Sequence, residues 1–304
     1  MRPLDCLRAH SCFLYAVSRQ VEYGRIADKR REILVWKAVA HVAITSRDNP
    51  LVREIKRLLT DARARRKSGR FVTEGARLCA DAARSGVSVT AVLYTAHAAQ
   101  LYAPSLDELR RVCGTVQEIP DELARYIADT ASPQGVFCLC ETPDNRLADG
   151  TLRPDGQYLA LEDVQDPANL GTVIRTAEAM GLDGLLLSAG CCDVYNPKVV
   201  RGSMGGVFRL PVHTVEDMCA AVEVWQQQGF RCWACVVDKT ATPLPQATFG
   251  KGVICLIGNE GNGLRPETVA VCRNRLTIPM PGRAESLNAS MAAGIVLWEM
   301  GKTR

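Results

Sequence analysis

VICLIGNEGNGL, residues 253–264, carries a run of five apolar residues into a loop with three glycines. The run predicts a buried strand, and the glycines allow the backbone amides of the loop to approach a ligand closely. The spacing differs from the GxGxxG dinucleotide fingerprint, and the Lys-Ser or Lys-Thr pair of a P-loop does not occur. A plain tight turn would explain the glycines but not Glu260 among them. The stretch predicts an α/β fold with a ligand-binding loop after a strand.

DPANLGTVIRTA, residues 166–177, follows a second predicted strand, Tyr158–Leu161. A helical pattern begins near Asn169, so we expect the helix to start there. In α/β proteins ligands bind where strands end and helices begin. Asn169 is therefore a candidate ligand contact, or it simply caps the helix. Arg175 lies six residues further on and does not share the face of the cap.

IPMPGRAESLNASMAAGI, residues 278–295, ends a third predicted strand at two prolines and opens the last helix. Ser286 is a suitable N-cap, so the helix is predicted over residues 286–300. The small residues that follow allow another backbone to lie very close to it. A capped, tightly packed terminal helix would explain these features but leaves Asn288 without a role.

Length and composition narrow the class of protein. A chain of 304 residues is long enough for two domains. Hydrophobic residues make up 47% and charged residues 23%, as in ordinary globular proteins. No run of 18 uncharged apolar residues occurs, so no transmembrane helix is predicted. These values argue against collagen-like, disordered and membrane-spanning proteins.

Four segments follow one another along the chain. Residues 1–47 are predicted to be a flexible extension, which either a transit peptide or an over-long gene start would explain. Residues 48–141 alternate short strands and helices and predict a small α/β domain. Residues 142–156 are rich in Pro, Gly and Asp and predict a linker. Residues 157–304 repeat the α/β pattern, and their apolar runs predict a mainly parallel sheet covered on both faces.

The strands and helices of the second half are predicted from these apolar runs. The strands are Tyr158–Leu161, Gly184–Leu187, Val207–Val212, Phe230–Val237, Val253–Ile257 and Leu276–Pro279, and the helices cover residues 169–180, 216–227 and 286–300.

Positive charge is concentrated in the first half of the chain. Residues 1–135 carry 22 Lys and Arg against 15 Asp and Glu, a net charge of +7, whereas the remainder carries 15 against 18, a net charge of −3. A dense basic patch is the electrostatic signature of nucleic-acid binding, although a solvated helix face is the alternative. The candidate RNA-binding residues are Arg53, Lys56, Arg57, Arg63, Arg65, Arg66 and Lys67.

The 13 cysteines are odd in number and too sparse for a disulfide scaffold. We expect reduced, mostly buried thiols in a cytoplasmic protein. Cys232 and Cys235 have CxxC spacing but lie within one predicted strand and lack a second pair, so no zinc site is predicted. Cys138 and Cys140 point to the same face of a strand and are predicted to be core.

Together the three quoted stretches resemble motifs 1, 2 and 3 of the SpoU (TrmH) family of RNA ribose 2′-O-methyltransferases, in the SPOUT superfamily. The resemblance covers residues 155–304 and includes NPKVVRGSMGGVF, residues 196–208, which is similar to the segment that connects the motifs. In the first half, NPLVREIKRLL and GRFVTEGARL are similar to an RNA-binding domain of the ribosomal protein L30 type.

The resemblance implies a C-terminal SPOUT-type α/β methyltransferase domain whose chain forms a trefoil knot, preceded by a small L30e-like α/β domain that binds the RNA substrate. It implies S-adenosylmethionine as cofactor, RNA as partner and a homodimer, with no metal and no membrane association. The implied catalytic residues are Asn169, Arg175, Glu260, Ser286 and Asn288, and the implied cofactor-binding residues are Gly258, Glu260, Gly261, Ile278, Met280 and Leu287.

The role of Arg175 and the choice of RNA stay open. The resemblance makes Arg175 the group that activates the 2′-hydroxyl, yet a guanidinium stays protonated in almost any protein environment. Arg175 is therefore a base or a bidentate phosphate clamp. We favour 23S rRNA as substrate, because tRNA-directed members typically lack the accessory domain. A tRNA 2′-O-methyltransferase and a non-catalytic RNA-binding knotted protein are the alternatives, and a role in antibiotic resistance also stays open.

Overall fold

The computed structural model of the protein describes residues 43–143 and 151–302. The described residues from Ile44 onward belong to one compact unit. The predicted extension lies outside the described residues as far as residue 42. Within the described part of the chain, no helix has the length and apolar character needed to cross a membrane.

The N-terminal domain is a small α/β domain built on a four-stranded sheet. Its elements are α1 (Pro50–Thr60), α2 (Ala62–Ser68), β1 (Arg70–Glu74), α3 (Ala76–Arg84), β2 (Val89–Tyr94), α4 (Ala96–Leu101), α5 (Ala103–Val112), β3 (Val116–Glu118), α6 (Asp121–Ile127) and β4 (Val136–Glu141). The strand order is β1-β4-β2-β3, with β4 antiparallel to both of its neighbours and β2 parallel to β3.

Local sequence explains how the first helix forms. Asn49 accepts a hydrogen bond from the backbone of Leu51 at 3.0 Å, and Pro50 occupies the first helical position, where its missing N–H costs nothing. Val52 and Ile55, at helical spacing, are fully buried against the sheet. The apolar face of α1 therefore packs inward, and Arg53 and Arg57 are left exposed on the other side.

The C-terminal domain holds a seven-stranded sheet. Its elements are β5 (Gln157–Leu161), α7 (Pro167–Ala179), β6 (Gly184–Ser188), α8 (Pro197–Gly202), β7 (Val212–Val215), α9 (Met218–Gln227), β8 (Arg231–Cys235), β9 (Thr242–Pro243), β10 (Val253–Ile257), α10 (Pro266–Val271), β11 (Asn274–Thr277) and α11 (Ala289–Gly301). The strand order is β7-β6-β5-β10-β8-β11-β9, and every neighbouring pair is parallel, as predicted.

Two hydrophobic cores cover the faces of this sheet. Leu159 and its neighbour Cys255 on β10 point into one core, whereas Tyr158 and Ile254 point into the other. Successive residues of a strand face opposite sides, so a strand buried on both faces is apolar throughout. The continuous apolar runs of the sequence reflect this double burial.

One predicted strand, Val207–Val212, is wrong. Residues Gly206–Phe208 form a short 3-10 turn, and the strand begins only at Val212. Gly205, with a φ of 86°, turns the chain immediately before. Val207, Phe208 and Leu210 of this run are nevertheless buried, and they pack into the core without pairing in the sheet.

Ion pairs and aromatic rings join the two domains. Salt bridges connect side chains from both, and none of these pairs is close in sequence. The contacts are Arg65–Asp193 at 2.6 Å, Arg201–Asp129 at 2.6 Å, Arg209–Asp81 at 3.0 Å, and the rings of Phe71 and Tyr195, whose centroids lie 4.7 Å apart.

Candidate active site

A cavity opens at the carboxyl ends of β10, β8 and β11. These strands are parallel, so their ends and the loops that follow them meet at one edge of the sheet. The cavity has a volume of about 400 Å³, within the range of small-molecule sites. Ser286 and all six predicted cofactor-binding residues line it: Gly258, Glu260, Gly261, Ile278, Met280 and Leu287.

A chain of side-chain hydrogen bonds ends at Glu260, which lines this cavity, and joins the three quoted stretches. Nδ2 of Asn288 donates to Oδ1 of Asn169 at 2.9 Å, and Nδ2 of Asn169 donates to Oε1 of Glu260 at 3.0 Å. Asn169 is buried, with 6% of its surface exposed. The fold thus brings together three of the five predicted catalytic residues, which lie up to 119 positions apart in sequence.

The caps of the two adjoining helices differ from those predicted. Helix α7 begins at Pro167, and its N-cap is Asp166, which accepts a hydrogen bond from the backbone of Ala168 at 2.9 Å. Asn169 is therefore not the cap, and its amide is available to bridge Asn288 and Glu260.

The last helix also starts later than predicted. It begins at Ala289 rather than Ser286, and Asn288 is its N-cap, with Oδ1 accepting from the backbone of Ser290 at 2.9 Å and of Met291 at 3.3 Å. Ser286 lies in the preceding loop. The segment with the prolines and the glycine forms an irregular loop with bends at Gly282, Arg283 and Glu285, and the helix begins only after Asn288. Asn288 therefore has both a structural and a site role.

The glycine-rich loop is closed by Asn259, which is not among the predicted site residues. Its Oδ1 accepts from the backbone of Gly261 at 2.9 Å and of Asn262 at 3.1 Å, and its backbone pairs with Gly263 in both directions. A Cβ at Gly258 would lie 2.0 Å from the carbonyl carbon of Gly263, so only glycine fits there. The sequence feature that indicates this role is an asparagine two residues before a glycine, the spacing of an Asx turn.

Glu260 gives the cavity a negative charge. Partial burial alone would raise its pKa, but hydrogen bonds from the Asn169 amide and from the backbone N–H groups of Asp166 and Gln165 outweigh this effect and hold the pKa below its usual value. Glu260 is the only charged residue among the described residues that line the cavity. A cationic ligand is therefore favoured there.

Cys235 also lines the cavity, at the end of β8. Burial raises the pKa of its thiol to about 11, so the sulfur is protonated at neutral pH. Across residues 43–143 and 151–302, no group of three or more His, Cys, Asp or Glu side chains is arranged to hold a metal ion.

Comparison with known proteins identifies the family. Residues 156–298 match the SpoU rRNA Methylase family, and residues 49–138 match the MRM3-like substrate binding domain. The chain is also 30% identical over 257 residues to the 23S rRNA (guanosine(2553)-2′-O)-methyltransferase of Bacillus subtilis. The aligned region covers 84% of this chain and 98% of that protein. The chain belongs to the SpoU family.

A further relative and a solved structure support the same family. An uncharacterized tRNA/rRNA methyltransferase of Synechocystis sp. is 31% identical over 265 residues, 84% of this chain and 92% of that one. The AdoMet-bound rRNA methyltransferase of Sinorhizobium meliloti superposes with a TM-score of 0.75 at 30% identity, covering 86% of this chain and 97% of the other. The predicted family, enzyme class and fold of two α/β domains are confirmed.

Arg175 of this SpoU protein stands apart from the cavity. Its side chain is exposed on α7, and its guanidinium forms no hydrogen bond or ion pair with any residue that the structure describes. One turn earlier, Gly171 packs against α8 so closely that a Cβ there would lie 3.1 Å from Cα of Gly202. The structure therefore anchors the helix that carries Arg175 but leaves its guanidinium free for a substrate or a second chain.

Exposed cations of the N-terminal domain surround a groove. Arg53, Arg57 and Lys67 line this groove of about 500 Å³ at helices α1 and α2, and Arg63 and Arg66 are exposed nearby in sequence. Five of the seven predicted RNA-binding cations are thus accessible in this part of the molecule.

Two members of the predicted basic patch are engaged inside the protein. Lys56 is half-buried, and its Nζ donates to the carbonyl of Ile127 at 3.3 Å. Arg65 is only 5% exposed, and its Nε donates to Oδ2 of Asp193 at 2.6 Å. The prediction that Arg65 binds RNA is wrong, because Arg65 joins the two domains and cannot present its charge to a polyanion.

Proposed function

We propose that this SpoU protein transfers a methyl group from S-adenosylmethionine to a ribose 2′-hydroxyl of ribosomal RNA, specifically 23S rRNA. The observation that carries the proposal is the hydrogen-bonded chain Asn288–Asn169–Glu260, which joins all three family motifs and ends at Glu260 in the cavity. The matched substrate-binding domain and the rRNA-directed relative from Bacillus subtilis support the choice of substrate.

The cavity fits the proposed cofactor chemically. S-Adenosylmethionine supplies an electrophilic methyl group on a positively charged sulfur. The carboxylate of Glu260 gives the cavity the opposite charge, and apolar Ile278 and Leu287 offer a surface for flat or aliphatic groups. Cys235, a protonated thiol, does not compete for the methyl group as a thiolate would.

Positioning and proton handling are the protein's contribution to the reaction. The ribose oxygen gains the methyl group and loses its proton to water or to an RNA phosphate. Because Arg175 is exposed and a guanidinium can bind a phosphate in bidentate fashion, we assign it the role of a clamp on an RNA phosphate beside the target ribose. Asn169 and Asn288 hold the motif loops in register.

The basic groove supports RNA recruitment by the N-terminal domain. Arg53, Arg57 and Lys67 line it, and cations of this kind bind phosphates without reading sequence. The target nucleotide is then selected by RNA shape and by how the two joined domains present the strand.

A homodimer forms part of the proposal. Helix α11 exposes Met291 at 59% and Trp298 at 58%, and Ile295 lies half-buried between them at helical spacing. Large apolar side chains on one helix face indicate a surface that another protein covers. A second copy of this chain is the partner that the family resemblance implies.

A trefoil knot and a cytoplasmic location are also proposed. Strand β10 lies between β5 and β8, although both precede it in the chain, so the late strand enters a space left between earlier ones. An experimental structure traced through residues 253–301 tests the knot.

All 11 described cysteines are free, as expected in a reducing compartment, and fractionation of cells tests the location.

The activity is tested by incubating the protein with labelled S-adenosylmethionine and with unmodified ribosomal RNA or tRNA, followed by nucleoside analysis. We expect a 2′-O-methyl nucleoside in ribosomal RNA. Label in tRNA alone would keep the chemistry and overturn the substrate. Cofactor binding without transfer to either RNA or to ribosomal particles would favour the non-catalytic alternative.

A further inference from the structure

Asp163 lies three residues before motif 1 in the sequence and has an unusual backbone conformation. It follows the end of β5, does not line the cavity, and has a φ of 55°. Among the described non-glycine residues, only Asp163 and Met204 have a positive φ. The left-handed region disfavours side chains, so surrounding contacts must hold Asp163 there.

The side chain and backbone N–H of Asp163 are fully engaged. Ser188, at the end of β6, accepts from the Asp163 N–H and donates to Oδ1, both at 2.9 Å. Oδ2 accepts from Nε of Arg265 at 2.8 Å and pairs with Nη2 at 2.6 Å. The residue thus ties the end of β5 to the end of β6 and to the chain that follows the glycine-rich loop.

Glu162 holds Arg265 from the other side. Its buried carboxylate accepts from the backbone N–H of Arg265 at 2.8 Å and from the Thr268 hydroxyl at 2.7 Å. Arg265 is therefore fixed through both its backbone and its guanidinium. These contacts hold the C-terminal end of the glycine-rich loop close to the end of β5.

The backbone carbonyl of Asp163 reaches the loop itself. It accepts from Nδ2 of Asn259 at 2.8 Å, and the other end of that amide, Oδ1, receives the N–H groups of Gly261 and Asn262. Fixing Nδ2 leaves Oδ1 facing the loop. The left-handed conformation of Asp163 is what directs its carbonyl to Asn259 while its carboxylate meets Ser188 and Arg265.

We propose that Asp163 is a positioning residue for cofactor binding. Through Asn259 and Arg265 it holds the glycine-rich loop in the shape that lines the cavity, without touching the cofactor. The identity of the ligand rests on the proposed function, whereas the positioning role rests on the contacts above.

Three substitutions separate these contacts. Asp163→Ala removes the carboxylate and keeps the strained backbone. Asp163→Gly removes the carboxylate but adopts a positive φ readily. Asp163→Asn tolerates the same conformation. With its Nδ2 donating to the Ser188 hydroxyl, its Oδ1 can still accept from Arg265, so the charge of that pair is what is lost. Met204→Gly is the matched control, because it relieves the same kind of backbone strain at a residue outside the cavity lining.

The measurements are the Kd and KM for S-adenosylmethionine, the KM for RNA and the Tm of each variant. A lost charge-assisted hydrogen bond in the supporting contacts predicts that Asp163→Ala raises the Kd and KM for the cofactor roughly tenfold. We expect an intermediate effect for Asp163→Gly, the smallest for Asp163→Asn, and an unchanged KM for RNA in all three. Met204→Gly should leave the cofactor KM at the wild-type value.

Two results would overturn the positioning role. One is an unchanged cofactor Kd in all three Asp163 variants. The other is activity that falls with Tm at constant KM, as a purely structural role predicts; should the alanine variant not fold, the glycine and asparagine variants decide. If the wild-type protein binds no S-adenosylmethionine, both the proposed function and this inference are overturned. If the wild-type protein binds it and the Asp163 variants bind it equally well, only this inference is overturned.

Discussion

Asn288 serves two elements with the two ends of one amide: its Oδ1 caps helix α11, and its Nδ2 donates to Oδ1 of Asn169 at 2.9 Å. The start of the last helix is thereby coupled to motif 1. A substitution that preserves only one of these two functions should therefore affect either the stability of the helix or the geometry of the site, but not both.

Replacement of Asn288 by Asp should keep the cap and break the site. A carboxylate caps well, but it places an acceptor against Oδ1 of Asn169, and turning the Asn169 amide over would only move the clash to Glu260. We expect turnover to fall about 10- to 100-fold, the equivalent of about 1.5–3 kcal/mol for a lost hydrogen bond to a charged network, with little change in Tm.

Asn288→Ala should also lose about 1 kcal/mol of stability, because the cap is gone. Asp217→Ala is the control, since Asp217 caps α9 by accepting from the backbone of Ala220 at 3.0 Å, outside the cavity lining. That variant should lose stability and keep turnover. Full activity in Asn288→Asp would contradict the role of the Asn288–Asn169 bond.

Arg175→Ala should abolish methyl transfer and leave the Kd for S-adenosylmethionine within a few-fold of wild type. The guanidinium is exposed and outside the cavity, so cofactor binding does not need it. Arg175→Lys should recover little, because an ammonium cannot clamp a phosphate in bidentate fashion. Exposed Arg273 provides a control substitution, and unchanged turnover in Arg175→Ala would refute the assignment.

The basic patch should divide into two classes when its residues are neutralised. Replacing Arg63, Arg66 and Lys67 with Gln should weaken RNA binding and lower the slope of log K against log[salt] by up to about 2–3, at about 0.7–0.9 per lost phosphate contact. Stability should change little, because these side chains are exposed. An unmoved affinity and slope would show that the patch is only a solvated face.

Arg65→Gln should behave in the opposite way. Removing one partner of the buried Arg65–Asp193 pair typically costs about 3–5 kcal/mol. We expect a lower Tm and an unchanged salt slope for RNA binding in the folded protein. A normal Tm together with a reduced slope would restore Arg65 to the RNA-binding set.

Glu260 gives the affinity for the cofactor a pH dependence in the acid range. Its pKa is lowered in the folded protein, so its favourable contacts are complete above its ordinary value of 4.5 and disappear as the pH falls through the lowered pKa. Calorimetry should show a constant Kd from neutral pH to about 5 and weaker binding below 4.5. Glu260→Gln should bind more weakly at pH 7 and show no such acid limb; an identical limb in the variant would assign it to another group.

The motifs predicted this edge of the sheet because each follows a strand of a parallel sheet, and the carboxyl ends of parallel strands meet at one edge. Contacts between distant segments could not be predicted in the same way. Arg65 looks like its exposed neighbours, and only docking of the domains shows that it faces Asp193. Asp163 was overlooked because its backbone conformation and its bonds to Ser188 and Arg265 depend on tertiary packing. Val207, Phe208 and Leu210 of the Val207–Val212 run are buried, but apolarity alone does not distinguish a strand from a packed turn.

The exposed face of α11 should control the oligomeric state. Met291→Glu or Trp298→Glu places a charge within an apolar surface that the proposed homodimer buries, and leaving that charge unpaired in an interface is costly. Light scattering coupled to gel filtration should show a dimer for wild type and a monomer for each variant. Val224→Glu is the matched control, because Val224 is an exposed apolar residue, at 47%, on α9 rather than α11. A dimer that persists in both α11 variants, or that dissociates only in Val224→Glu, would place the interface elsewhere.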